Sequence, residues 1–402
     1  MKTVLSVDVA KNKSCFLLIN SDGEILMDAK EFNHNIKDFN DIKNIIDSLN
    51  ISDLTVFMES TSTYHLPVER FFKSNNFKVV VINGLSAKNN FDTLRKTKTD
   101  KQDCFKLAKL FFVLDSKSYH IKQYDMYSDL KLLVRQYFFL TEQNVSCKNR
   151  LKRLINLCFP EYELVFKGDR IFDTTALNFI ISFPHAHIIK NSSLECLTAN
   201  LFESNNRHIN VYKNFAIKIK ELANYSYPGV DEHSQDVKNL VDIASIVKNN
   251  TEKIKELKEK MISAAQKSPY FKIISSYYGI GELSTCILLG ELGDITRFDT
   301  SKQLTAFCGL DPTIVQSGKS INISAPISKR GDKYVRKILF ICCQNIVKIC
   351  SKNFPEHPIY QYYLKKKSEG KHYYECLTAC STKLLRTLLS MCKHNKASTL
   401  SK

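Results

Sequence analysis

Glycine is scarce in this chain, with 12 in 402 residues against a usual share of roughly 7%. The shortage argues against a glycine-rich barrel or propeller and favours helices. Paired cysteines are missing too. The 13 cysteines are scattered singly, apart from Cys342-Cys343, and no CxxC occurs. An odd count without metal-ligand spacing excludes a secreted disulfide framework and a zinc ribbon, and points to reduced thiols. No uncharged run approaches the roughly 18 apolar residues of a membrane span. The opening MKTVLSVDVAKNKS does not read as a signal peptide, because Asp8 breaks the apolar stretch early. The expectation is a soluble, intracellular protein with no membrane partner.

What is present is length, apolar content and positive charge. The length suggests two or three domains, and 44% hydrophobic residues suffice for real cores. The 58 Lys and Arg outnumber the 41 Asp and Glu, for a net charge of +17. A polyanion is the expected partner.

The first third alternates strand and helix patterns. TVLSVDVA reads as a strand ending near Asp8, and CFLLIN and EILMDA as a hairpin around Ser21-Asp22-Gly23. IKDFNDIKNIIDSL places Ile36, Phe39, Ile42, Ile45 and Ile46 on one helical face. A strand LTVFMES ending at Glu59, a helix YHLPVERFFKSN and a strand KVVVIN follow. This order predicts a mixed sheet covered by helices over residues 1–125, an α/β domain.

Residues 126–267 read as helical. The histidines His185 and His187 form a cluster there, but no third ligand is spaced to join them, so a polar loop is the expected role. Leu240, Val247, Ile254 and Met261 recur every seven residues, with Ile243, Leu257 and Ala264 in a second seam and Asn250 interrupting it. This is a coiled-coil signature, read as a dimerisation helix with an internal hairpin as the alternative. Residues 268–395 read as a mainly helical domain. Its GIG turn, Gly279-Ile280-Gly281, resembles a helix-hairpin-helix. Farther on, Val335, Ile338, Leu339, Cys342 and Ile346 mark a core face, with Lys333, Arg336 and Lys337 expected to project elsewhere.

Chemistry concentrates in four acids. Asp8 and Glu59 stand at predicted strand ends. Asp100 and Asp103, in LRKTKTDKQD, share a face at the start of the helix CFKLAKLFFVL. Clustered carboxylates repel one another, and divalent cations relieve that repulsion. Oxygen ligands suit Mg²⁺, with Mn²⁺ as an alternative, and two such ions would clamp a scissile phosphate. Arg95, Lys96 and Lys98 then read as phosphate contacts. The structural alternatives are that Asp8 closes a turn, that Glu59 caps STSTYH, and that Asp100 and Asp103 cap a helix.

On SVDVAKNK, FMESTSTYHLPVERFF, VVVINGLSAKNNF and RKTKTDKQDCFKLA, the first third resembles the RuvC-like (RNase H-like) domain of DEDD-type insertion-sequence transposases, the group including the Piv and MooV recombinases. GIGELSTCILLGELGDITRFDTSKQLTAFCGLDPTIVQSGKSINISAPISKRGDKYVRKIL resembles the second domain of the same family. The resemblance implies a metal-binding tetrad of Asp8, Glu59, Asp100 and Asp103, and a catalytic serine at Ser317. It further implies a covalent phosphoserine intermediate, donor and target DNA as substrates, a structured bridge RNA as guide, and a homo-oligomer, dimer or tetramer. The setting it implies is the bacterial cytoplasm, at the nucleoid during action. Two departures stand out: Tyr278 replaces the usual proline before the GIG turn, and the region between the domains is longer than in compact members.

Around the serine, Gly318 leaves room for a backbone phosphate, and Lys319, Lys329 and Arg330 are candidate stabilisers of its charge. Ser320 is the rival nucleophile, and an ordinary Ser-Gly turn is the structural alternative. Two other functions compete with the transposase: a RuvC-like metal nuclease or junction resolvase in which water attacks, and an inactive nucleic-acid-binding remnant.

Overall fold

Val4, Leu5, Val7 and Val9 alternate with Ser6 and Asp8 along β1 (Thr3–Val9), which is apolar on both faces and central to a sheet. β2 (Lys13–Asn20) and β3 (Ile25–Asn33) extend from it antiparallel, joined by the expected Ser-Asp-Gly turn. Gly23 takes φ +87° there, and the Asn20 side chain accepts from the Asp22 and Glu24 amides. On its other edge β1 pairs in parallel with β4 (Leu54–Glu59), which pairs in parallel with β5 (Lys78–Ile82). The five strands are ordered β3-β2-β1-β4-β5, a mixed sheet as the sequence predicts.

Helices cover both faces. Leu5, Val7, Phe16, Leu18, Val56 and Met58 pack under α1 (Ile36–Ser48) and α2 (His65–Ser74). Of the predicted α1 face, Phe39, Ile42 and Ile46 are buried, whereas Ile36 is exposed. On the opposite face Val4, Leu17, Phe57 and Val80 pack against Cys104, Leu107 and Ala108 of α3 (Asp100–Val113). Each fully buried Leu, Ile, Val or Phe contributes roughly 1.5–3 kcal/mol relative to an exposed one.

The computed structural model describes residues 2–82, 100–113, 125–203, 209–313 and 326–397. They fall into two units, Met1–Tyr124 and Asp125–Lys402. The second unit is helical. Its long α4 (Met126–Cys158) begins with a capping box on Asp125. The helices α5 (Tyr162–Val165), α6 (Thr174–Ser182), α7 (Ala186–Asn191), α8 (Leu194–Glu203) and α9 (Ile209–Tyr225) follow. Next come α10 (Gln235–Ala265), α11 (Phe271–Ser275), α12 (Glu282–Leu292), α13 (Ser301–Phe307), α14 (Lys333–Asn353), α15 (Pro358–Ser368) and α16 (Tyr373–Lys393).

The heptad helix α10 lies along α4 of the same chain. Leu240 and Val247 share a core with Leu151 and Leu154, and Met261 shares one with Leu130 and Val134. In between, Asn144 Nδ2 donates to Thr251 Oγ1 at 3.3 Å, and Ile254 and Leu257 stay half-buried. The internal hairpin, the alternative to dimerisation, therefore covers much of the seam.

The GIG turn joins α11 to α12. Gly279 has φ +84°, and a Cβ there would lie 2.4 Å from Ile346 Cγ1, so this position requires glycine. Tyr278 packs its ring against Phe354 and His357, at 6.0 and 5.8 Å between centroids. On α14 the five predicted core residues are all buried. Arg336 lies off that core face, as expected, and is half-buried. Its guanidinium Nη1 donates to the carbonyls of Cys308 (2.8 Å) and Gly331 (2.7 Å), because that turn leaves two acceptors within reach.

Candidate metal and phosphoryl-transfer site

The β1–β4 register runs through Ser6↔Phe57 and Val7↔Met58. One further step sets Asp8 beside Glu59. Adjacent parallel positions project to the same side of a sheet. Val4 and Phe57, two residues apart from Ser6 and Glu59 respectively, identify that side as the one α3 covers. Both acids are half-buried. Asp103 lies in the first turn of α3, one residue before the sheet-facing Cys104, and pairs with Lys106 at 2.8 Å. Asp100 is the first residue of the same helix, and its side chain lies outside the described residues.

Two hydrogen bonds hold α3 to this edge. Ser6 Oγ donates to the Cys104 carbonyl at 2.7 Å, and Cys104 Sγ donates to the Cys15 carbonyl at 3.0 Å. Cys15 is the cross-strand partner of Asp8. The side-chain interaction with Cys15, then burial, pushes the Cys104 thiol well above its ordinary range. Cys104 therefore stays a neutral S–H donor, and the acids supply oxygen donors, although the described carboxylates of Asp8, Glu59 and Asp103 do not all lie within 4.8 Å of one another. That donor set fits a hard divalent cation and not a thiophilic one. Sequence reasoning missed Ser6, Cys15 and Cys104, since nothing in an apolar strand marks which small polar residue meets a helix.

Of the structural alternatives for the acids, a helix-start role remains open to Asp100 and Asp103, which lie in the first turn of α3. Asp8 sits inside the strand ladder opposite Cys15, short of the turn at residues 10–12. Tyr64 is the N-cap of α2 and has no side-chain capping bond.

At the other end of the chain, Ser317, Ser320, Gly318 and Lys319 lie outside the described residues, as do Arg95, Lys96 and Lys98. The flanks of the serine segment are described. The Thr313 amide donates to the Pro326 carbonyl at 3.2 Å, the Ser328 amide to Asp311 at 2.8 Å, and Ser328 Oγ to Asp311 Oδ1 at 2.7 Å. Lys329, at φ +53°, and Arg330 follow and are both exposed. Next, Gly331 fits so closely that a Cβ would lie 2.2 Å from the Phe307 carbonyl oxygen and 2.3 Å from the Gly309 nitrogen.

Asp332 then caps α14, accepting from Tyr334 and Val335. It also pairs with Arg135 Nη2 at 3.1 Å, and the same nitrogen donates to the buried Glu291 at 2.7 Å. Lys131 Nζ lies 3.2 Å from Glu291. Burial raises the Glu291 carboxyl above the ordinary range, against the opposing pull of Arg135 and Lys131. The stem that carries Lys329 and Arg330 is thus anchored to α4 and α12.

The histidine pair gains a third candidate ligand that the sequence spacing concealed. Donor atoms of His185, His187 and Glu232 lie within 4.8 Å of one another. Both ring nitrogens of His185 are nevertheless engaged: Nε2 with the Val230 carbonyl at 3.0 Å, and Nδ1 accepting from the His187 amide at 3.2 Å. A ring that donates from Nε2 and caps a helix with Nδ1 has no lone pair left for an ion. His185 reads as a buried capping residue.

Two stretches of the chain are similar to known protein families. Residues 5–160 match a family model of DEDD type from the IS110 group, described as a transposase. Residues 271–358 match a second, described as the transposase IS116/IS110/IS902 family. The pilin gene-inverting protein of Moraxella bovis is 28% identical over 125 residues, covering 31% of this chain and 37% of that protein. The transposase for insertion sequence element IS1111A of Coxiella burnetii is 33% identical over 91 residues, 23% of this chain and 25% of that protein. An uncharacterized 43.6 kDa protein of insertion element IS110 from Streptomyces coelicolor is 23% identical over 143 residues, 35% of this chain and 33% of that protein. Each match thus spans between a quarter and two-fifths of the relative's length. Two stretches of the chain thus resemble transposase domains of the IS110 group, one of DEDD type at residues 5–160 and a second at residues 271–358.

Proposed function

We propose that the protein is a DNA transposase or site-specific recombinase whose N-terminal unit is RuvC-like and binds Mg²⁺, or Mn²⁺, through Asp8, Glu59, Asp100 and Asp103. The observation that carries this reading is the strand register that sets Asp8 beside Glu59 on the face covered by α3, the helix that begins at Asp100. Bound there, divalent ions would polarise a phosphodiester and favour an oxygen nucleophile. Ser317 is the proposed nucleophile. Its hydroxyl gives up its proton as Oγ bonds to phosphorus and one P–O ester bond of the DNA breaks, and the departing sugar oxygen takes up a proton in exchange. Lys319, Lys329 and Arg330 neutralise charge on the phosphorane, and Arg95, Lys96 and Lys98 hold the DNA backbone. The substrates are donor and target DNA, a structured bridge RNA acts as guide, and the working form is a homo-oligomer in the bacterial cytoplasm. The two transposase-like stretches support this reading at the domain level, and the net charge of +17 suits a nucleic-acid substrate.

The test is strand exchange by the purified full chain with guide RNA, donor DNA, target DNA and Mg²⁺. A protein–DNA adduct should form with the wild type and vanish in Ser317→Ala and Asp8→Ala. An adduct undiminished in Ser317→Ala removes the serine from the mechanism. Nicking that survives Ser317→Ala and fails in Asp8→Ala supports the second reading, a metal nuclease or junction resolvase. Salt-sensitive binding without cleavage would instead mark an inactive remnant.

A further inference from the structure

The segment IYQYYLKKKSEGKHYYE, residues 359–375, crosses from α15 to α16 through a turn in which Gly370 takes φ +76°. Its tyrosines line up in space. Tyr360 stacks on Tyr363 with centroids 6.4 Å apart and planes 17° apart. Tyr363 meets Tyr373 at 6.2 Å, and Tyr373 meets Tyr374 at 5.5 Å. Tyr374 in turn stacks on Phe340 of α14 at 6.0 Å and 21°. Five rings therefore form one continuous row across three helices. The inner part of the row, Tyr360, Tyr363 and Phe340, packs against the core of the second unit, and its outer end is open. The core side of α16 is made by Cys376, Leu377, Cys380 and Leu384, while Tyr374 is 61% and Tyr373 38% exposed.

Cations border these rings. Lys365, Lys367 and Lys371 are exposed beside the row, and the ammonium groups of Lys366 and Lys383 lie 5.3 and 4.7 Å from the centre of the neighbouring Tyr362 ring, which is outside the row. The segment holds four lysines and two glutamates, and one of those, Glu369, is taken up by Lys366 at 2.7 Å. Exposed tyrosines beside exposed ammonium groups suit a ligand that alternates flat rings with phosphates. A duplex keeps its bases stacked on each other and presents no free ring face. A second copy of this chain fits poorly, because lysine is depleted at protein interfaces and facing ammonium groups repel.

We propose that the exposed Tyr373–Tyr374 end of the row, backed by Tyr360, Tyr363 and Phe340, is a stacking platform for unpaired nucleotides of a single-stranded nucleic acid, with the bordering lysines on its phosphates. The proposal deepens the nucleic-acid reading above and rests on it for the kind of partner.

The chain contains no tryptophan, so Tyr374→Trp installs a single indole at the exposed end of the row. The full-length variant is titrated with oligothymidylate, oligouridylate and duplex DNA of about 16 nucleotides per strand. Stacking should quench the indole with the single strands and not with the duplex. Tyr373→Ala in the same background, and separately the pair Lys365→Gln and Lys367→Gln, should weaken single-strand binding about tenfold. The lysine pair should also flatten the salt dependence. All these residues are exposed, so an unchanged melting temperature verifies the fold.

Binding without quenching, equal quenching by duplex, or undiminished affinity in the variants would overturn the platform. So would loss of self-association in Tyr373→Ala with oligonucleotide binding intact, since a second copy would then be the occupant. Comparing oligothymidylate with oligouridylate separates a DNA source from an RNA one. Strand exchange without quenching defeats the platform and leaves the transposase reading standing, whereas quenching without strand exchange does the reverse.

Discussion

The Ser6 hydroxyl donates a 2.7 Å hydrogen bond to the main-chain carbonyl of Cys104, 98 residues later. It joins β1 to α3 two residues before Asp8 and one residue after Asp103. A buried hydroxyl there fixes the distance between strand and helix, and with it the spacing of acids that come from opposite ends of the first unit. Ser6→Ala should destabilise the protein by about 1 kcal/mol, read from urea unfolding of the full chain. It should also weaken Mn²⁺ binding, measured calorimetrically, without removing a ligand. Unchanged Mn²⁺ affinity would mean that this bond plays no part in aligning the acids.

Divalent ions should stabilise the wild type. At a Mn²⁺ concentration about a hundredfold above Kd the gain should reach about 2.7 kcal/mol. Asp8→Asn, Glu59→Gln and Asp103→Asn should each abolish most of that gain while leaving the metal-free melting temperature near the wild-type value. A gain that survives all three substitutions places the ion elsewhere.

Gly331→Ala should cost about 1–3 kcal/mol, because the new Cβ would meet main-chain atoms of Phe307 and Gly309 at 2.2 and 2.3 Å. Gly370→Ala is the control. It has open space around it, and only its φ of +76° opposes a side chain, so its cost should stay near 1 kcal/mol. Chemical denaturation of the two variants ranks them directly.

Removing Arg135 leaves the buried Glu291 short of a cation. Arg135→Met should destabilise the protein by on the order of 2 kcal/mol, less than an enclosed pair, because the Arg135 side chain is 40% exposed and Lys131 remains at 3.2 Å. Adding Glu291→Gln should recover part of the loss. A double-mutant cycle measures the coupling, and additive effects would show that the two groups do not act as a pair.

His357 supplies a pH test. It is fully buried, its Nδ1 accepts from the Ile359 amide at 3.2 Å, and Nε2 has no hydrogen-bond partner among the described residues. Burial, and then the charge of Lys383, lowers its pKa below the ordinary 6.5. The neutral ring is therefore favoured by folding. Its contribution is complete above pH 6.5 and is lost as pH falls through the lower folded value, because the unfolded chain binds the proton first. Melting temperatures across this range should fall less steeply for His357→Asn, which keeps an N-cap acceptor and removes the titration. An identical slope in the variant would assign the pH dependence to other groups.

Much of the first unit was legible in the sequence. Alternation in TVLSVDV, the Ser-Asp-Gly turn and the Ile/Phe spacing of residues 36–48 each encode local structure at short range, where periodicity and turn chemistry suffice. The placing of Asp8 and Glu59 at strand ends followed from the same patterns. What pairing β1 with β4 does to those acids is a matter of register, which sequence alone does not state. The heptads of α10 show the opposite case. The pattern announces an apolar seam, and it carries no information on whether the cover comes from another chain or from α4. The partners of Arg336 and His185 were hidden for a related reason: the carbonyls of Cys308 and Val230 reach them from segments far along the chain.

The sequence by itself determined the alternation of strands and helices, the basic character of the chain and the residue types available for oxygen ligation, because these depend on composition and near-neighbour spacing. Only the tertiary structure decided that Asp8 and Glu59 share the face under α3, that Glu232 approaches a histidine already engaged at both nitrogens, and that tyrosines from two helices join Phe340 in one row. Such neighbours are brought together by burial of apolar surface elsewhere in the fold, and that force acts on whole elements rather than on the residues it happens to juxtapose.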